Sequence, residues 1–233
     1  MEACFFKLLP DCGKQLVSEI ESFAKRSIAV IEDPSRELPS CRVTDVRAEI
    51  IFPNLGKIVA NEMLHEVLHI HRNWPQQVPM LLPRDRENQA LINLYGVCDN
   101  QLEHLVIVPL QAKLGHSITE KWTVRLRKEW EGKFWEGIQT DFDRRASVLM
   151  SFLSIAIIVD ENDLTKLAKA ELHKMGLLHD AEKFLDKVLR VIDDKPRLSA
   201  AAMRFLGLPR DECYLIYLDV QNDKEVPVDI PPH

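Results

Sequence analysis

Residues 55–74 read LGKIVANEMLHEVLHIHRNW, and His65, Glu66 and His69 stand near the middle of the run. Pro75 follows, and a proline pushes the residue before it out of the α region, so the run is expected to be a helix that stops near Trp74. Four residues make about one turn. His65 and His69 therefore project from one face, where both imidazoles can reach a single zinc ion at a Zn–N distance of about 2.0–2.1 Å. Glu66 stands beside them, placed to take a proton from a metal-held water rather than to join the coordination sphere. A metal lowers the pKa of such a water toward about 7, which lets a carboxylate act as the base at neutral pH. Val67 and Leu68 between the histidines are apolar, so the helix can lie buried. His71 points about 200° away from His69 and is expected at the surface.

Upstream, residues 27–31 (SIAVI) and 43–52 (VTDVRAEIIF) are rich in β-branched side chains, are followed by Asp33-Pro34 and Pro53-Asn54, and are expected as strands joined by a polar loop. Before them, residues 11–25 place Leu16, Ile20 and Phe23 at helical spacing. A strand next to the motif helix can offer an edge to an extended peptide. Downstream, a proline-punctuated loop over 75–83 leads to a second apolar helix, expected over 86–108 and ended by Pro109.

That second helix carries DNQLEHLVIVP, residues 99–109, in which charged side chains interrupt an apolar run. A buried charge is costly unless it is paired or bound to metal. Glu103 is the first choice for a third ligand, giving a His65, His69, Glu103 set with a fourth position open for water, as catalytic zinc sites require. His104 and Asp99 are the alternatives. Asp99 lies one turn before Glu103, and Asn100 one turn before His104, so either could support its neighbour by a hydrogen bond.

The order of elements resembles that of the minigluzincins, including the ImmA/IrrE-like metallopeptidases that act on repressors. The likeness covers about residues 10–110 and rests on the preceding strand, on His65, Glu66 and His69, and on a later helix ending in LVIVP. It implies that the two motif histidines and a glutamate of the next helix hold Zn2+, with Glu66 as base. The implied function is a zinc-dependent metallopeptidase, a hydrolase that cleaves a protein or peptide substrate. The alternative is a catalytically silent module that keeps the fold and binds a partner protein.

The rest of the chain sets the frame. With 233 residues, 46% of them apolar and 28% charged, the chain can bury a substantial core. Eight glycines and long Leu-, Ala-, Glu- and Lys-rich stretches predict an α+β but mainly helical fold, with a small N-terminal sheet beside the motif helix and a helical second half. Helices are expected at about 120–135, 140–159, 162–175, 180–192 and 199–205, and a strand at 214–219. These divide the chain into a metallopeptidase-like core over 1–117, a helical extension over 118–220 and a polar, proline-rich tail over 221–233 expected to be flexible. Trp122, Leu126, Trp130 and Phe134 recur every four residues, so the basic and aromatic segment 120–135 reads as a helix docked on the core. A net charge of −6 argues against a nucleic-acid partner. The longest apolar run, 146–159, is too short for a bilayer and is expected as a core helix. Five scattered cysteines without a C-x-x-C pair fit a reducing cytoplasm, and the N-terminus lacks the apolar length of a secretion signal.

Overall fold

A computed structural model describes residues 2–159 and 161–232. The fold is α+β and mainly helical. The chain divides into two compact units: Met1–Met80 with Lys113–His116 and Leu215–Val228, and Leu81–Ala112 with Ser117–Tyr214 and Asp229–His233.

In the first unit, α1 (Asp11–Ala24) is followed by β1 (Ala29–Glu32), β2 (Ser40–Val43) and β3 (Ala48–Phe52), then by α2 (Ala60–Asn73). The sheet order is β1-β3-β2, with β1 parallel and β2 antiparallel to β3. Ile50, Ile51 and Phe52 make β3 the buried central strand. The segment 43–52, expected as one strand, contains the end of β2, a turn and β3. Thr44 makes the break: its N–H donates to the Arg47 carbonyl at 2.9 Å, and its Oγ1 accepts from the backbone N–H groups of Val46 and Arg47. A threonine hydroxyl that closes a turn on its own backbone competes with strand extension.

Helix α2 packs against α1, β2 and β3. The expected start at residue 55 is instead a short 3-10 turn, Leu55–Lys57, capped by Asn54 Oδ1 accepting from Gly56 N–H at 2.7 Å. Its end falls where Pro75 puts it. Trp74 N–H still donates to the Ile70 carbonyl, and Val78 N–H reaches back to the Arg72 carbonyl at 2.8 Å. The Trp74 indole Nε1–H donates to the Thr44 carbonyl at 2.9 Å, so the end of α2 is tied to the turn between β2 and β3. The tail also holds structure: β6 (Lys224–Val228) pairs antiparallel with β5 (Cys213–Asp219), from Leu215 opposite Val228 to Asp219 opposite Lys224. A short strand, β4 (Met80–Pro83), lies in what the sequence reads as loop.

The second unit holds α3 (Gln89–Lys113, all but its last residue), α4 (Thr119–Glu131), α5 (Asp141–Ile158), α6 (Asn162–Lys174), α7 (Leu178–Val191) and α8 (Lys195–Leu206). Helix α5 is the centre, in contact with α4, α6, α7 and α8. Val148, Leu149, Phe152, Leu153 and Ile155 are fully buried along it, as the apolar run 146–159 leads one to expect. Thr140 caps it by accepting from Asp143 N–H, and Asp194 caps α8 by accepting from Arg197 N–H. Among the described residues no helix is long and apolar enough to cross a membrane.

Pro109 does not end α3, which runs four residues further to Lys113. A proline inside a helix removes one backbone donor and crowds the carbonyl four residues earlier, at a cost of about 3 kcal/mol. Leu105, Ile107, Val108 and Gln111 are buried on both sides of it, and that packing holds the helix through the break. Pro109→Ala should therefore raise stability by about 1–3 kcal/mol in urea denaturation; an unchanged midpoint would mean that the backbone has already adapted to the ring.

Candidate functional site

The first unit positions three of the expected residues on α2. Every residue from Met63 to Ile70 is buried, including His65, Glu66 and His69 at 8%, 7% and 8% exposure. The two imidazoles meet edge to face, with ring centroids 5.0 Å apart. A helix explains this pairing, since positions four apart stand one above the other. His71, expected at the surface, is instead largely covered, and its Nε2 lies 3.0 Å from Glu19 Oε2 on α1. That contact with α1 is why the outward turn of the helix is not solvent.

Glu66 is the electrostatic centre of this face. Burial pushes its carboxyl up to about 7 from an ordinary 4.5; the Cys41 thiol, which donates a hydrogen bond to it, opposes the rise, and Glu62 one turn earlier adds to it. Cys41 is on β2, opposite Ile50 in the ladder. A carboxyl that gains and loses its proton near neutrality is suited to general acid and base work.

In the second unit, Glu103 is 4% exposed and its Oε1 accepts from Lys195 Nζ at 2.7 Å. The same ammonium lies 2.7 Å from Asp99 Oδ1, which also accepts from Leu81 N–H at 3.1 Å. Burial pushes the Asp99 carboxyl up, Lys195 opposes that, and Glu103 adds to it. Burial also works against the charge on Lys195, but the two carboxylates outweigh it and hold the ammonium above its usual value. The pairing alternative for the charges of this helix is thus realised, by one lysine between two carboxylates a turn apart.

His104, the next residue, is half-buried and meets the edge of the Trp122 ring at a centroid distance of 5.0 Å. The buried thiols of Cys98 and Cys213 are poor nucleophiles, since burial pushes Cys98 up to about 12 and Cys213 up to about 11.

Two participants escaped the sequence reading. Cys41 fell in a segment read as loop, and Lys195 gave no local signal. The Asp99 and Glu103 pair on an apolar helix did signal that a cation was needed, without saying which one. Comparison with protein-family models, with curated proteins and with solved structures finds no match for this chain.

Two outcomes follow from these charges. Because the folded pKa of Glu66 lies above its unfolded one, the folded state holds the proton to higher pH, and stability is greatest below about pH 4.5 and is lost as pH rises through about 7. In chelator-treated protein, urea denaturation from pH 4.5 to 8 should show the wild type losing about 3 kcal/mol relative to Glu66→Gln. Equal pH dependence in the two proteins would contradict a desolvated Glu66. Lys195→Met leaves two buried carboxylates facing each other and should destabilise by about 3–5 kcal/mol, whereas Glu103→Gln with Lys195 intact should cost less.

Proposed function

We propose that the protein is a zinc-dependent peptidase in which His65, His69 and His104 hold the ion and Glu66 is the catalytic base. What supports this most is the ligand set. In the first unit, His65 and His69 stand one turn apart on α2 with ring centroids 5.0 Å apart and with the buried Glu66 beside them, and His104 is offered as the third ligand. Three neutral imidazoles suit zinc, and three protein ligands leave a fourth position open, as catalytic sites do. Glu103, the first choice of the sequence, is held by Lys195, and the neighbouring His104 takes its place in the proposal.

Zinc at this position supplies Lewis acidity, making water acidic enough for a carboxylate to deprotonate near neutral pH and polarising a carbonyl. Glu66 takes the proton on its carboxylate and later delivers it to the leaving amine nitrogen; burial raises its pKa in the metal-free protein, and beside a bound ion it would be drawn back toward the carboxylate that a base requires. The buried walls of α2 restrict water around that carboxylate, and the Cys41 thiol orients it. The substrate is a protein or peptide. An extended segment can pair along β2, which is an edge strand of its sheet and packs against α2. A reducing compartment such as the cytoplasm suits the chain, since Cys12, Cys41, Cys98 and Cys213 form no disulfide.

Metal content and hydrolysis of a fluorogenic peptide library test both halves. Protein produced with zinc should hold one ion per chain, and His65→Ala, His69→Ala and His104→Ala should each weaken binding by roughly a hundredfold or more. Glu103→Gln should keep the ion. Glu66→Gln should also keep it while hydrolysis falls by about 10²–10⁴-fold. Loss of zinc in Glu103→Gln but not in His104→Ala would overturn the ligand set. Zinc held without hydrolysis of any peptide or denatured protein would overturn the peptidase and leave a partner-binding module.

A further inference from the structure

The second unit has an open cavity of about 320 Å³ between α3, α4, α5 and the segment at the end of α8. Its walls follow helical spacing: Leu94, Val97, Cys98 and Gln101 present one face of α3, and Ser147, Met150, Ser151 and Ser154 one face of α5. Most of the lining surface is apolar, and Leu126, Leu206 and Leu208 are buried beneath it. Val97 at the lip is 62% exposed, far more than a side chain that merely completes a core. A volume near the lower end of the ligand-pocket range points to a small occupant.

The polar groups give that occupant its charge. Arg125, Glu129 and Asp143 line the cavity, two carboxylates against one guanidinium. Arg125 is already committed: its guanidinium lies 4.0 Å from the centroid of the Trp122 ring, and its Nε 3.6 Å from Glu129 Oε1. Burial raises the Glu129 carboxyl above its ordinary value, against the pull of Arg125, so this acid lacks full solvation. Asp143 accepts one hydrogen bond, from the Thr140 hydroxyl at 2.6 Å, and its remaining acceptor capacity is open to solvent. Ser151 Oγ accepts from Trp130 Nε1–H at 2.8 Å, which leaves its own O–H to donate. Among the described lining residues Arg125 is the one basic side chain.

The geometry points to a binding site in the helical unit for a small aliphatic amine, with the hydrocarbon chain between α3 and α5 and the ammonium group at Glu129 and Asp143. At roughly 30 Å³ per small group the cavity holds about ten non-hydrogen atoms, the size of an eight-carbon amine. This site is separate from the zinc proposal and needs no metal.

The test is calorimetric titration of the full chain with n-octylamine, and with octanoate as the probe of opposite charge. One octylamine should bind per chain, about fivefold or more tighter than octanoate. Ser147→Trp fills the space from α5 and should weaken octylamine by about thirtyfold while the thermal midpoint stays level or rises. Glu129→Gln with Asp143→Asn should remove the preference for amine over acid while binding of the chain persists. Unchanged octylamine binding by a folded Ser147→Trp protein would overturn the site, and octanoate binding as tightly as octylamine would overturn the assignment of the amine. Should Ser147→Trp fail to fold, Ala146→Leu makes the same steric test from the neighbouring lining position, with the same readings.

Discussion

Everything about the candidate site depends on the burial of three polar side chains in the middle of α2. His65, Glu66 and His69 sit in a run where each neighbour from Met63 to Ile70 is also buried. A helix buried on all sides cannot leave such groups to water, so each must be answered by a neighbour. The two imidazoles share an edge-to-face contact, and Cys41 donates to Glu66. The hydrogen bond is a weak answer to a desolvated carboxyl. That is why burial wins and Glu66 holds its proton toward neutral pH. A cation bound beside it would favour the ionised form, so the same burial that makes Glu66 a strained acid makes the face receptive to a positive charge.

Helix α3 faces the same physical problem and solves it differently. Asp99 and Glu103 are two carboxylates on a mostly apolar helix, and a single ammonium from the first residue of α8 lies 2.7 Å from both. The arrangement is nearly closed, with three charges and a backbone donor accounted for. It anchors the start of α8 to α3 and commits Glu103 to a structural task. His104, one residue on, meets the Trp122 ring edge to face. At two adjacent positions the helix thus presents a locked carboxylate and an imidazole, a residue type suited to a metal. This contrast is the physical reason for preferring a three-histidine set to one with Glu103.

Local signals in the sequence carried much of this. Pro75 marked the end of α2, the β-branched run before Phe52 marked the central strand, and the unbroken apolar stretch of α5 marked the core of the helical unit. The spacing of HEVLH placed both histidines on one face without any knowledge of the fold. What stayed hidden depended on partners distant in sequence. Lys195 is 92 positions from Glu103, and nothing near either residue announces the pair. β2 is a four-residue edge strand that includes Arg42 and lacks the length of a recognisable run; only its pairing with β3 makes it a strand. Pro109 was read by its local rule as a stop, and packing on both sides overrode that rule.

Zinc K-edge X-ray absorption on the purified chain addresses the central claim most directly, because it counts imidazoles and identifies donor atoms. The account expects one zinc per chain with three imidazole nitrogens at about 2.0–2.1 Å and one further light-atom ligand. A spectrum with only two imidazoles, with a sulfur neighbour at about 2.3 Å, or a chain that takes up no zinc would contradict it.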